Sequence, residues 1–355
     1  MNEAFWNKRN VFITGHTGFK GGWLSLWLTK MGANVYGYSL RPKNNSKSFF
    51  RIIKLEKAIK KSTFGNILNY TQLKKEINIA KPSIIIHLAA QPLVRNSYID
   101  PIETYNVNVL GTVNILDIAR KSKTVKGIIN VTSDKCYEIK KNNFFYKENS
   151  LLGGHDPYSS SKSCSEILTS SFRDSFFKDK KICVATVRSG NVIGGGDWSA
   201  DRLVPDFFKA IYSKKNFIIR NPKAIRPWQH VLEPLHGYIL LSEKLLGQKN
   251  KQFYSSAWNF GPDKNSFETV NFVTKYLSKS FIYKKIKVKK SKSFKETLVL
   301  KINSEKARKY LLWKSRWSLT QALDNTIRWY ESYIDKKDML NFSLEQIEIY
   351  TKNKF

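Results

Sequence analysis

The chain has 355 residues, 41% of them hydrophobic and 14% aromatic, enough to bury a sizeable core in one or two domains and too apolar for a disordered chain. Lysine and arginine outnumber aspartate and glutamate by 61 to 28, a formal charge of +33, but the lysines are scattered, denser only at 57–61 and 284–292, and no RNA-binding signature or zinc finger accompanies them, so the excess reads as solvated surface and not as a nucleic-acid interface. Three cysteines without metal-type spacing (Cys136, Cys164, Cys183), no apolar run near the roughly 18 residues of a membrane helix, and a polar start that enters a strand directly predict a cytoplasmic protein without disulfides, metal or membrane insertion.

The first predicted strand, Asn10–Thr14, runs into Gly15-His16-Thr17-Gly18-Phe19-Lys20-Gly21-Gly22 and then into an amphipathic helix. Leu24, Trp27, Leu28 and Met31 recur at helical spacing, Gly32 is the stop, and a second strand covers 35–40. Strand, glycine loop, helix and strand together make the context a dinucleotide fingerprint requires. Glycines let the backbone turn tightly and approach a pyrophosphate at the helix N-terminus, where free N–H groups and the dipole favour an anion. The spacing here is G-x-x-G-x-x-G, and His16 and Lys20 put bulky groups where small ones are usual, so a looser cofactor fit is expected. The acidic residue expected about 20 positions on, for the ribose hydroxyls, is absent. Arg41 stands there instead and can meet a 2′-phosphate, which leaves NADP open beside NAD.

Ile84–Leu88 is the next buried strand and opens into Ala89-Ala90-Gln91-Pro92. A helix with Val109, Val113 and Leu116 on one face follows. The strand at 127–132 delivers Ser133, Asp134 and Lys135 at its carboxyl end, the edge at which open α/β sheets bind ligands. Asp156-Pro157 starts a helix carrying Tyr158 and Lys162, which share a face at i and i+4. A phenol with an ordinary pKa of about 10 is a poor base at neutral pH. A fixed cation beneath it favours the phenolate, so the pair predicts an acid/base. Strand 182–188 completes this part. The alternation predicts an α/β fold with a Rossmann-type, doubly wound parallel sheet.

Beyond Ser189 come two loops suited to a phosphorylated, ring-bearing ligand, since arginine forks onto phosphate and aromatics stack on bases. One is Gly190–Trp198 with Asp201 and Arg202; the other is Arg226-Pro227-Trp228-Gln229-His230. Residues 261–335 read as small helices around a lysine-rich strand region, with an amphipathic helix at 319–333. The predicted organisation is a dinucleotide-binding domain over 1–190, rejoined by 225–260. A smaller substrate lobe takes 191–224 and 261–335, and 336–355 is a tail without chemical signal.

These blocks resemble the extended short-chain dehydrogenases/reductases that act on nucleotide sugars. The likeness rests on the glycine loop, Ala89-Ala90-Gln91-Pro92-Leu93-Val94-Arg95, the Ser-Asp-Lys stretch and Tyr158-x-x-x-Lys162. A narrower likeness joins Gly15–Gly21, Thr132–Tyr137, Gly153–Ser159, Gly190–Trp198, Arg226–Glu233 and Trp258–Pro262, which are similar to the CDP-glucose 4,6-dehydratases. That resemblance implies conversion of CDP-D-glucose to CDP-4-dehydro-6-deoxy-D-glucose and water with NAD, in deoxysugar biosynthesis. It implies Ser133, Tyr158 and Lys162 at C4, Asp134 as acid for the C6 hydroxyl, and Lys135, where dTDP-glucose dehydratases carry glutamate, as C5 base or alternatively as a structural ion-pair partner of Asp134. For the cofactor it implies Gly15 to Gly21, Arg41, Asn66, Ile67, Leu88, Ala89 and Ala90 with Tyr158 and Lys162. Asn66 and Arg41 stand where the family usually has aspartates. For the substrate it implies Gln91, Ser97, Asn191, Arg202, Arg226, Trp228, His230 and Asn259. Relatives pair through two helices, here roughly 104–121 and 157–176, so a homodimer or dimer of dimers is expected. A nucleotide-sugar 4-epimerase, a dehydratase for another NDP-hexose, and an anion-binding protein without activity are the alternatives.

Overall fold

The computed structural model describes residues 1–43, 47–139, 144–179, 182–219, 221–247, 251–263, 266–281, 285–288 and 300–353. Most of the lysine-dense stretch at 284–292 lies outside them. Seven strands form one parallel sheet: β1 (Asn10–Thr14), β2 (Asn34–Ser39), β3 (Lys61–Phe64), β4 (Ile84–His87), β5 (Gly127–Val131), β6 (Cys183–Ser189) and β7 (Ala257–Phe260). Their order is β3-β2-β1-β4-β5-β6-β7. In register, Val11 faces Val35 on one side and Ile84 on the other, and Ile128 lies between Ile85 and Val184.

The central strands are buried along nearly their whole length and mostly apolar because both faces of the sheet are covered. Successive side chains divide between two cores, as the two-residue period of a strand requires. Val11, Ile13, Ile84, Ile86, Ile129 and Cys183 enter the larger core, whereas Phe12, Ile85, Ile128 and Val184 enter the smaller. Helix α2 (Tyr70–Ala80) and helix α3 (Gly111–Lys121) close the smaller core with Leu73, Ile77, Ile115 and Leu116; α4 (Pro157–Phe172) lies on the same side through Leu168 and Phe172. The larger core is closed by α1 (Phe19–Lys30), α5 (Leu232–Leu246), α6 (Leu319–Ile334) and α7 (Met339–Lys352).

Helix α1 departs from the amphipathic expectation, since every residue from Gly21 to Leu28 is buried. The cause lies in the last twenty residues, read from sequence as a tail. They hold α7, whose Tyr350 ring packs edge-on against Trp27 with centroids 5.5 Å apart and whose Ile347 and Tyr350 are fully buried. The outer side of α1 therefore meets protein and not water. Helix α6 opens with a capping box between Ser318 and Gln321, the arrangement that satisfies two free N–H groups at a helix start.

Between β6 and α6 the chain builds short paired strands around helices Leu203–Tyr212 and Val270–Ser280. Phe217–Ile219 runs parallel to Ile286–Val288, Ile225–Pro227 antiparallel to Phe267–Thr269, and Gln229–His230 parallel to Val192–Ile193. Strand order reverses between β1 and β4, which opens a crevice at the carboxyl ends of the strands.

Candidate active site

The turn after β1 is held by backbone contacts that tolerate no side chain. Gly15 sits at φ +78°, and a Cβ there would lie 2.8 Å from the Ala89 nitrogen. At Gly21 a Cβ would fall 2.1 Å from the Gly15 carbonyl oxygen. Gly18 precedes α1 without a side-chain cap, and the first turn of the helix carries no acidic residue. The leading N–H groups of α1 are thus left for an anion, and the cradle fits the phosphates of a dinucleotide. Thr17 ties the loop to the end of β2, its Oγ1 lying 2.8 Å from Ser39 Oγ and donating to the Leu40 carbonyl. Thr14 Oγ1 accepts from the Leu88 and Ala89 N–H groups, fixing the second edge of the crevice.

Several residues expected around the cofactor take other positions. The His16 ring turns into the protein, fully buried, with Nε2 2.7 Å from Ser62 Oγ; burial brings it down to about 4, so it is neutral. It does not crowd the loop, because Gly37 leaves room for the ring on β2. The Ile67 side chain packs in the smaller core. Asn66 accepts from the Leu68 N–H at 2.9 Å and shapes its own turn. The Arg41 guanidinium lies 4.0 Å over the Phe64 ring at the rim of the same crevice.

Ser133 caps the short turn Asp134–Cys136, accepting from the Lys135 N–H. Its hydroxyl donates to Asp134 Oδ1 at 3.2 Å. Tyr158 stands at the start of α4, after Asp156 and Pro157 cap that helix. Burial pushes the Tyr158 phenol up to about 12, with Ser133 and Arg202 opposing and Asp134 adding to the rise. This reverses the lowering expected from Lys162. The lysine is itself buried, its Nζ donating to the Val131 carbonyl at 3.4 Å, and burial brings it down to about 8, against Glu166 and Cys136. Desolvation is the largest influence on the phenol, and Lys162 is not among the principal groups acting on it. For Asp134 the direction agrees with an acid. Burial raises its carboxyl above the usual range, against Lys135, Ser133, Lys20 and Arg226.

These groups surround a cavity of about 310 Å³, lined by Ser133, Asp134, Lys135 and Tyr158 on one side and by Asn191, Arg202, Arg226 and Trp228 on the other. Lys135 Nζ lies 6.0 Å from the centre of the Tyr158 ring, and Arg202 is anchored by Asp197 at 3.1 Å. Four expected substrate residues do not line it. The Gln91 amide is engaged by Leu93 and Thr104. Ser97 Oγ accepts from the Tyr158 N–H at 3.2 Å and so supports α4 from behind. Asn259 accepts from the Tyr137 hydroxyl at 2.7 Å and donates to the Tyr146 and Asn303 carbonyls. His230 is buried against Trp317, their ring centroids 4.7 Å apart, and burial brings it down to about 3.

Sequence reasoning gave no role of their own to the lining residues Arg95, Ser189, Asp197 and Asp201, although Asp197 and Asp201 lie in a loop expected to meet the ligand. Arg95 and Asp201 form an ion pair at 3.1 Å, joining segments 106 positions apart. It also missed the support beneath the Ser-Asp-Lys turn. Glu166 and Arg188 form a buried, two-pronged ion pair, with Nε–Oε1 and Nη2–Oε2 both at 2.8 Å. Burial alone would push the Glu166 carboxyl up, but Arg188 overrides it and holds it below the usual carboxylate range. Thr132 donates to Glu166, and Arg188 donates to the Tyr137 hydroxyl, so both flanks of the turn are fixed to one pair.

The model of the GDP-mannose 4,6 dehydratase family matches residues 12–326. A CDP-glucose 4,6-dehydratase from Salmonella typhimurium is 43% identical over 99% of this chain and 98% of its own. Among solved structures, an epimerase from Methanothermobacter thermautotrophicus is similar with a TM-score of 0.80 at 21% identity, covering 94% of this chain and 95% of that one. A dTDP-glucose 4,6-dehydratase from Bacillus anthracis in complex with NAD is similar at 0.75 and 20% identity, over 94% and 99% of the two chains.

Proposed function

Because this chain belongs to the GDP-mannose 4,6 dehydratase family, we propose that it is a hydro-lyase converting CDP-D-glucose to CDP-4-dehydro-6-deoxy-D-glucose. The observation that carries this reading is the convergence of the Ser133–Lys135 turn and Tyr158 on one cavity. An epimerase needs an acid/base at C4 alone, and a carboxyl raised by burial has no task in it. The 43% identity to the Salmonella typhimurium CDP-glucose enzyme, over 99% of this chain, supports cytidine as the base.

In this reading the cradle from Gly15 to Gly21, with the Leu88–Ala90 edge, would hold NAD, which when bound would supply the acceptor for the C4 hydride and its donor to C6. Tyr158 takes the C4 hydroxyl proton while Ser133 hydrogen-bonds the same oxygen, and a ketone forms at C4. The ketone acidifies C5, and Lys135 removes that proton. Asp134 gives its proton to the C6 oxygen, which leaves as water, and Lys135 returns a proton to C5. Asn191 and Arg202, in a lobe made of 191–224 and 261–335, hold the nucleotide and diphosphate together with Arg226 and Trp228 of the stretch 225–260 that returns to the dinucleotide-binding domain. Exposed apolar residues on the helices at 94–110 and on α4, among them Ile99, Ile102 and Ile167 at 80%, 72% and 58%, support a homodimer. Light scattering of the purified chain should give twice the monomer mass or a multiple of it; a monomer would refute that part. Among the described residues no helix is long and apolar enough to cross a membrane.

The deciding experiment incubates the chain with CDP-, UDP- and dTDP-glucose in deuterium oxide, with NAD or NADP, and reads products by mass. The expected product has lost water, carries solvent deuterium at C5 and arises fastest from CDP-glucose with NAD. A 4-epimer without loss of water would sink the dehydratase reading. Lys135→Ala should retain cofactor binding and stop exchange at C5; unchanged turnover would remove Lys135 from the base role.

A further inference from the structure

Lys20 is the second residue of α1, inside the glycine loop, but its side chain leaves the loop. Its Nζ donates to Ser189 Oγ at 2.7 Å, and it lines the same cavity as Ser133, Asp134 and Tyr158. Ser189 Oγ lies 3.2 Å from the Tyr238 hydroxyl, so the tether is rooted in the core. The next residue, Gly190, faces Asp134, and a Cβ there would come within 3.0 Å of Asp134 Oδ2. Lys20 and Asp134 thus converge from different strand ends on two consecutive residues at the tip of β6. Asp134 Oδ1 receives the Ser133 hydroxyl, while the buried Oδ2 has no hydrogen-bond partner among the described residues.

On the dehydratase reading, we propose that Lys20 is a positioning residue for the elimination step. Its ammonium, tethered by Ser189, sets whether Asp134 holds a proton for the departing C6 oxygen. The groups facing Asp134 are the cations Lys20, Lys135 and Arg226 and the uncharged Cys136, Tyr158 and Tyr238. Burial brings Lys20 down to about 7, helped by Arg202 and Lys162 and opposed by Asp134 and Asp197. Its charge therefore changes near neutral pH, and with it the field at Asp134. An ammonium favours the carboxylate and a neutral amine favours the acid. When Asp134 has given its proton to the leaving oxygen, the carboxylate left behind is stabilised by the Lys20 ammonium. The proton that Tyr158 took from the C4 hydroxyl balances the one lost, by exchange through solvent.

The test follows the Asp134 carboxyl by infrared difference titration of the full chain, the band being identified by its loss in Asp134→Asn, alongside the pH profile of 4-keto product formation. Lys20→Met should raise the carboxyl midpoint by about one pH unit or more and carry the alkaline limb of the profile upward with it. Lys20→Arg keeps the charge and should leave both at or below the wild-type positions. An unmoved midpoint in Lys20→Met, or an equal rise in Lys20→Arg, overturns the proposal. Should Lys20→Met fail to fold, Ser189→Ala frees the amine and must also raise the midpoint; no movement there overturns the proposal equally. A wild-type chain that forms no 4-keto sugar would sink the dehydratase reading, which the infrared titration does not depend on.

Discussion

Tyr158 illustrates how one residue pair can be recognised correctly and still be misjudged in its energetics. The Tyr158 and Lys162 spacing placed both on one face of α4, but burial dominates each group. It raises the phenol to about 12 and lowers the ammonium to about 8. Hydrogen bonding with the Ser133 side chain is the first influence acting to bring the phenol back. Removing it in Ser133→Ala raises the phenol further. A base works only when deprotonated, so the rising limb of the pH–rate profile should move to higher pH in Ser133→Ala. Turnover at neutral pH should fall by about 10²–10⁴. Steady-state rates of 4-keto product across the pH range check this, and a limb that stays in place would remove Ser133 from control of the phenol.

At the scale of elements, β6 and α4 are joined by the Glu166–Arg188 pair, both side chains about 3% exposed. Arg188→Met leaves the Glu166 carboxylate buried without its partner and should destabilise the chain by about 3–5 kcal/mol. Arg188→Met combined with Glu166→Gln removes the orphaned charge and should recover part of that loss. Urea unfolding of the three proteins measures it; a double variant no better than the single would mean that the pair itself supplies the stability. This support was illegible in the sequence because a glutamate and an arginine 22 positions apart, on a helix and a strand, form no periodic pattern. What was legible had a local cause: β1, β4, β5 and β6 as short, predominantly apolar runs, and the glycine loop, where a Cβ would strike backbone. Strand β3, Lys-Ser-Thr-Phe, escaped notice because it lies at the sheet edge, half-buried throughout, with no apolar run. Asn259 and His230 sit in blocks that resemble the family, but their side chains are engaged in the core. Likeness identified the block and could not tell which way a side chain turns.

For the whole molecule, the fold closes on a carboxyl group that is not part of the cavity lining. Glu233, fully buried near the start of α5, accepts from the Arg316 and Trp317 N–H groups and from the Tyr350 hydroxyl at 2.8 Å. It thereby joins α5 to the entry of α6 and to α7. Burial pushes its carboxyl from 4.5 up to about 7, although those three donors and Arg316 favour the charged form. A group raised in the folded state binds more protons there than in the unfolded chain, so its stabilisation is complete below about pH 4.5 and fades as the pH rises through about 7. The span corresponds to a loss on the order of 3 kcal/mol between those limits. Glu233→Gln keeps an acceptor for the same donors and does not titrate. Its melting temperature should therefore depend less steeply on pH between about 5 and 8 than that of the wild type, and exceed it at the alkaline end. Thermal melts followed by tryptophan fluorescence report this directly, since Trp27, Trp313 and Trp317 all lie in the core that this clasp closes. Parallel curves for the two proteins would show that Glu233 is ionised throughout and that the clasp is a fixed ion-dipole contact.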